Sequence, residues 1–223
     1  MFYYYGRKKK IVKKYPEPIY DTVIEPFAGA AAYSMEYWTK NVILVEKNAR
    51  IVAMWKFLQS ANQNDILGLP ILSKGETLDD EKFNSLSANE KAVIGLFLNP
   101  GSALPKKRPG TFNLWTEKNR ERLSSDISKV AHWDIRCGDY TEVRNVRATW
   151  FIDPPYQFGG QHYTFSNKKI DYEKLKEWCK IRKGQVIVCE NTKATWLDFT
   201  PLVALHGQKH TTTEAIRYRE NNN

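Results

Sequence analysis

Thr22-Val23-Ile24-Glu25-Pro26-Phe27-Ala28-Gly29-Ala30-Ala31-Ala32 is the stretch that decides the fold. Its short apolar start reads as a buried strand over Thr22–Ile24. The Pro/Gly/Ala run reads as a turn feeding a helix. Val42–Val45 is a second apolar run, closed by Glu46, and Asn48–Ser60 carries Val52, Trp55 and Leu58 at helical spacing. Strand, turn, helix, strand and helix in series predict a parallel α/β sheet.

The same alternation returns late in the chain. Asp134–Cys137 and Thr149–Ile152 read as strands, and Asp171 caps a helix expected to run through Lys183 and to stop at Gly184. Val186–Cys189 is another buried strand, and Thr211–Tyr218 alternates as a terminal one. Between the two parts, residues 61–131 show no β-α alternation. Ser87-Ala88-Asn89-Glu90 is a capping box opening an apolar helix through Leu98, which Pro100-Gly101 ends. A basic loop with Lys106, Lys107 and Arg108 follows, then a polar helix over Thr116–Lys129. The expected organisation is an α/β domain over 1–60 and 132–223, with a mostly helical insert over 61–131.

The chain has 223 residues, enough for one large domain or one domain with an insert. Its longest clean apolar run, Ala92–Leu98, is far short of the roughly 20 residues that span a bilayer. The start places Arg7 and Lys8 directly after aromatics, with no apolar stretch of a secretory signal. Thirty-four Lys and Arg against 25 Asp and Glu give a net charge of +9, which points to a polyanionic partner. Cys137, Cys179 and Cys189 are odd in number and widely spaced, as in a reducing compartment and without a structural zinc. His206 and His210 are four apart in what reads as strand and turn, so surface histidines are the better reading and no metal site is expected.

Asp153-Pro154-Pro155-Tyr156 is the most informative tetrapeptide. It sits at the carboxyl end of a predicted parallel strand, the edge where open α/β sheets bind ligands. Asp153 supplies an acceptor, the prolines remove donors and stiffen the turn, and Tyr156 offers a flat face. An amino group on a planar base needs this set: acceptors for two N–H bonds and an aromatic platform. Glu25-Pro26-Phe27-Ala28-Gly29 is a second strand-end turn, with glycine where a backbone approaches a ligand. Glu46 comes twenty-one residues after Glu25, where a carboxylate would meet ribose hydroxyls.

Together these residues resemble the S-adenosylmethionine-dependent amino-methyltransferases, and more narrowly the DNA adenine methyltransferase (Dam-like) family in its alpha arrangement. That order has cofactor motifs first, then a target-recognition insert, then D-P-P-Y. The resemblance spans nearly the whole chain and implies a Rossmann-like sheet with helices on both faces. It implies that Tyr4 and Lys8, in Tyr4-Tyr5-Gly6-Arg7-Lys8, touch the cofactor, with Lys8 on its carboxylate. Glu25, Pro26, Phe27, Gly29 and Ala30 would surround the methionine moiety, Glu46 and Asn48 the ribose, and Gly138-Asp139 the adenine. Tyr4 stands where the family has tryptophan, Arg7 where it has glycine, and Ala31 where a second glycine is common. Asn191 falls where the family often has Ser-Asn.

The implied reaction is methyl transfer from S-adenosylmethionine to N6 of an adenine flipped out of double-stranded DNA, with Asp153, Pro154, Pro155 and Tyr156 as catalytic residues. No Pro-Cys pair occurs, which argues against a cytosine C5 enzyme needing a thiolate. Lys106, Lys107, Arg108, Arg120 and Arg122 are the candidate phosphate contacts. Phe112 and Trp115 either probe the base stack or belong to the core. Lys9, Lys10, Lys13 and Lys14 either form a solvated face or touch DNA. The run Gln157–Phe165 is expected to be a mobile loop over the base pocket, with Tyr163 or Phe165 closing on the base. Trp178 and Trp196 read as core. A cytoplasmic restriction-modification or orphan methylase of bacterial or bacteriophage origin is implied, without membrane or metal; the oligomeric state stays open, with a monomer slightly favoured. Two rivals stay open: the same chemistry on cytosine N4 or RNA adenine, and a non-catalytic nucleic-acid-binding protein on this fold.

Overall fold

The computed structural model describes residues 2–99, 101–206 and 211–221. The chain forms two compact units, one of Lys8–Asn48 and Asp134–Asn223, the other of Met1–Arg7 and Ala49–Trp133. Among the described residues, seven strands lie in the first: β1 (Thr22–Glu25), β2 (Asn41–Glu46), β3 (Asp134–Cys137), β4 (Ala148–Ile152), β5 (Gly184–Asn191), β6 (Thr200–His206) and β7 (Thr211–Asn221). The helices are α1 (Ala32–Glu36), α2 (Ala49–Ser60), α3 (Gln63–Leu67), α4 (Ala88–Leu98), α5 (Glu117–Asp126) and α6 (Tyr172–Lys180).

The sheet order is β3-β2-β1-β4-β5-β7-β6. The first five strands in that order are parallel, and β7 runs antiparallel to both β5 and β6. Side-chain alternation covers both faces. Val23, Phe151, Ile187 and Cys189 pack with Tyr33 of α1 and with Ile11, Val12 and Tyr15. Ile24, Trp150, Ile152, Val186 and Val188 pack with Leu175, Trp178 and Cys179 of α6 and with Trp196. This mostly parallel α/β sheet flanked by helices is compatible with the Rossmann-like sheet that the resemblance implies, and Trp178 and Trp196 belong to its core. Each such large apolar side chain contributes roughly 1.5–3 kcal/mol by leaving water.

The last helix differs from its expected bounds. It stops at Lys180, not Lys183, because arginines take its final carbonyls. Arg182 Nε donates to Trp178 O at 3.0 Å, and Arg219 of β7 donates to Lys180 O at 2.6 Å and Cys179 O at 3.0 Å. Gly184 is not the helix stop but the first residue of β5, with φ of 95°. A side chain there would meet Ala148 O at 2.4 Å. The paired histidines divide here: His206 closes β6, and His210 lies outside the described residues.

The other unit holds α2, α3, α4 and α5, with no strand among its described residues. Phe2, Trp55 and Trp133 form one aromatic run, with centroids 4.8 and 5.7 Å apart, and Phe97 meets Trp115 edge-on at 5.1 Å. Trp115 is core, its Nε1 donating to Pro70 O at 2.7 Å, so only Phe112 of that pair is exposed. The Ser87/Glu90 capping box forms as read, and α3 has a second one at Asn62/Asp65. The polar helix α5 ends at Asp126, and Ile127–Val130 tightens into a 3-10 turn. Among the described residues no helix is long and apolar enough to cross a membrane, and no group of three or more His, Cys, Asp or Glu could hold a metal ion.

Gly184→Ala should lower stability by about 2–4 kcal/mol, joining an overpacking cost to a left-handed alanine. Urea unfolding of the two proteins measures it.

Candidate active site

The strand order reverses between β1 and β4, which lie side by side in the centre of the sheet. Such a switch point leaves a crevice beyond the carboxyl ends of the two strands. Here β1 delivers Glu25 through Gly29, and β4 delivers Asp153 through Tyr156. Parallel pairing also brings Glu46 at the end of β2, Gly138-Asp139 after β3, and Asn191 at the end of β5 to the same edge. The two motifs read as functional thus flank the topological crevice.

The first loop is tied down by two carboxylates. Glu25 is buried and accepts from Ser34 N of α1 at 2.7 Å. Burial pushes its pKa up to about 8 against the hydrogen bonds from Ser34. Glu46 accepts from Gly29 N at 3.0 Å with one oxygen and from Asn48 N at 2.8 Å with the other. Burial raises its pKa too, while those amides hold it back. Phe27 stacks on Tyr140 with centroids 5.2 Å apart. Asp139 caps the turn after β3, accepting from Thr141 N at 3.1 Å and from Lys47 Nζ at 2.8 Å. Burial would raise the Asp139 pKa, but Lys47 and Thr141 outweigh it and the net direction is down.

The second loop meets a buried charge cluster. Lys8 Nζ donates to both oxygens of Asp153 at 2.8 Å and stands 4.8 Å from the centre of the Tyr156 ring. The Tyr156 hydroxyl donates to Glu214, as does Tyr15 Oη at 2.7 Å. Glu214 reaches this edge because β7 is reversed, pairing Glu214 with Asn191. Burial raises the pKa of both Asp153 and Glu214, and the Lys8 ammonium opposes it at each. Pro154 and Pro155 are buried, Tyr172 Oη donates to Pro155 O at 2.7 Å, and Gly160 N donates to Tyr156 O at 3.0 Å. The Pro154 carbonyl accepts no hydrogen bond from the described residues.

No family model matches the chain, and no curated protein matches it.

The segment after Tyr156 is anchored at its start: Gln157 N donates to Glu190 at 2.6 Å, and Asn191 Nδ2 to Phe158 O at 2.7 Å. Tyr163 is half-buried, and the Phe165 ring centre stands 5.3 and 5.4 Å from the Nζ atoms of Lys47 and Lys169. Asn48 Nδ2 lies 3.5 Å from Thr164 Oγ1. Lys9, Lys10, Lys13 and Lys14 are exposed.

In the helical unit, Tyr4 is buried. Lys106, Lys107 and Arg108 are exposed, with Lys107 Nζ 2.9 Å from Asp79. That loop lies against α4 at Gly95, where an added Cβ would sit 2.5 Å from Lys106 O. Arg120 Nη1 donates to Leu69 O at 2.8 Å, and Arg122 Nη2 lies 3.5 Å from Tyr3 Oη.

Sequence reading missed Glu214 and Tyr15. Glu214 had only a weak signal: it shares a face of β7 with Ile216, which packs on the core, but also with Thr212 and Glu220, so the sequence does not mark it as the buried acid it is.

Ala31 has φ of 44° and ψ of 49°. That left-handed conformation costs an L-residue about 1–2 kcal/mol. Ala31→Gly should raise stability by about 0.5–1 kcal/mol after the added unfolded-chain entropy, read as a higher urea midpoint.

Proposed function

We propose that this protein is an S-adenosylmethionine-dependent DNA methyltransferase acting on the N6 amino group of adenine. The observation that carries the reading is the pairing of D-P-P-Y and E-P-F-A-G across one switch point. The cofactor's chemistry fits the donor set. Glu46 accepts backbone amides at both oxygens and, with about four lone-pair sites, keeps acceptor capacity for a ribose hydroxyl. Ala28, Gly29 and Ala30 leave the loop without bulky side chains, and Phe27 and Tyr140 offer stacked rings nearby. S-adenosylmethionine, when bound, supplies an electrophilic methyl group on its sulfonium.

Asp153 and the Pro154 carbonyl accept the two N6 hydrogens of the extruded base, which aims the nitrogen lone pair. Tyr156 gives the ring its platform, held at the hydroxyl by Glu214. Lys8 keeps Asp153 ionised and oriented until the amino group takes over its oxygens. Catalysis is positioning and electrostatics, with no covalent enzyme intermediate. The +9 charge and the exposed Lys106 and Arg108 support a nucleic-acid partner, and extruding its base costs a few kcal/mol.

The test is methyl transfer from labelled cofactor to unmethylated duplex DNA, single-stranded DNA and RNA, with products digested to nucleosides and identified by mass. N6-methyladenine from the duplex is expected. N4-methylcytosine or methylated RNA would reassign the acceptor, and no methylated nucleoside from folded protein would leave a binding protein. Asp153→Ala should lose at least about 100-fold in rate.

Activity should also fall on acidification. An acceptor carboxylate must be unprotonated, and burial raises the Asp153 pKa. The acid limb of the rate profile should therefore lie above the ordinary aspartate range near 4. A limb at or below 4 would remove Asp153 from this role.

A further inference from the structure

Arg7 and Arg122 converge on one aromatic ring and face no carboxylate. Arg7 Cζ lies 4.1 Å from the centre of the Tyr3 ring, and its Nη1 donates to Phe2 O at 3.0 Å. Arg122 of α5 brings its Cζ to 5.7 Å from the same ring and its Nη2 to 3.5 Å from the hydroxyl. Neither guanidinium forms an ion pair with an acid among the described residues. Arg122 Nε is buried with no hydrogen-bond partner. All three residues belong to the helical unit and are half-buried.

Two cations held together without an acid repel one another. Burial lowers the Arg7 pKa and the Arg122 charge adds to that lowering, while Tyr3 opposes it. The phenol offers one weak acceptor between two groups whose forked donors match a tetrahedral oxyanion. An anion placed between them would reverse the repulsion.

We propose that Arg7, Arg122 and the Tyr3 ring form a clamp for one phosphodiester of the DNA backbone. The identity of the anion rests on the DNA reading above. The exposed Lys106 and Arg108 in the same unit and the net charge of +9 favour a polyanion over a small free ion. The clamp also accounts for Arg7, which stands where the resembling motif has glycine. A glycine has no side chain to contribute.

The experiment measures binding of a fluorescein-labelled duplex of about 20 base pairs across a salt series, for wild type, Arg7→Gln, Arg122→Gln and the double variant. No methyl transfer is read, so the clamp and the reaction stand or fall separately. Each phosphate neutralised contributes about 0.9 to the slope of log affinity against log salt. One shared phosphate predicts that each single variant loses less than this and the double loses about 0.9. At 0.15 M salt the double variant should bind about five-fold more weakly. Arg7→Lys/Arg122→Lys should restore most of the slope, and circular dichroism checks that each variant folds.

An unchanged slope in the folded double variant overturns the clamp. A loss near 1.8 assigns the arginines to separate phosphates and overturns the shared site. A second arm compares thermal midpoints in sodium phosphate and sodium chloride at equal ionic strength. Protection of wild type but not of the double variant, with an unchanged duplex slope, would make this a free-oxyanion site and overturn the backbone assignment. Wild type that binds no duplex would overturn it as well.

Discussion

Parallel pairing of β1 with β4 is the contact on which the site depends. Val23 pairs with Thr149 and Ile24 with Trp150, a ladder of two residue pairs. It is reinforced at its amino-terminal side by a polar chain: Tyr20 N lies 3.3 Å from Thr149 Oγ1, which donates to Gln185 Oε1 at 2.7 Å, and Gln185 Nε2 donates to Glu17 O at 2.8 Å. These bonds satisfy polar groups buried between strands, where an unmet donor would cost about 1–3 kcal/mol. With the register fixed, the two loops must leave the sheet as neighbours. A slip of one residue would turn every side chain of the strand to the opposite face.

The crevice then concentrates acids that water would otherwise solvate. Asp153 and Glu214 share the neighbourhood of a single ammonium from Lys8. A buried ion pair is weak evidence for stability, since desolvation offsets most of the attraction. Its value here is geometric, because the bidentate contact fixes the carboxylate plane. Glu25 and Glu46 do a different job, bonding backbone amides of the loop and of α1 and leaving the loop's shape set before any ligand arrives.

Strands β1, β2, β4 and β5 were legible because each is a short apolar run closed by a turn signal, whereas β6 reads only as part of a strand-and-turn segment. The two loops were legible because Pro, Gly and acids recur at strand ends. What stayed hidden was set by contacts distant in sequence. The stop of α6 depends on Arg219 from β7, and no local signal announces it. Lys8, which the resemblance assigns to a cofactor carboxylate, is held by Asp153 in this structure, a partner 145 residues away. Trp115 reads equally as core or base probe until Pro70 supplies its acceptor. Arg120 and Arg122 look like free charges on a polar helix, yet one binds a backbone carbonyl and the other an aromatic ring.

The reversed strand β7 has a consequence for how the protein comes into being. Its Glu214 bonds Tyr15 across a separation of 199 residues, so this hydrogen bond closes nearly the longest loop the chain contains. Contacts of such separation form late, after local helices and neighbouring strands. On a ribosome, Tyr15 emerges 199 residues ahead of Glu214 and stays hydrated until that partner follows. The polar cluster is thus assembled in stages, Lys8 meeting Asp153 before β7 brings Glu214, and it is incomplete in any fragment that lacks β7.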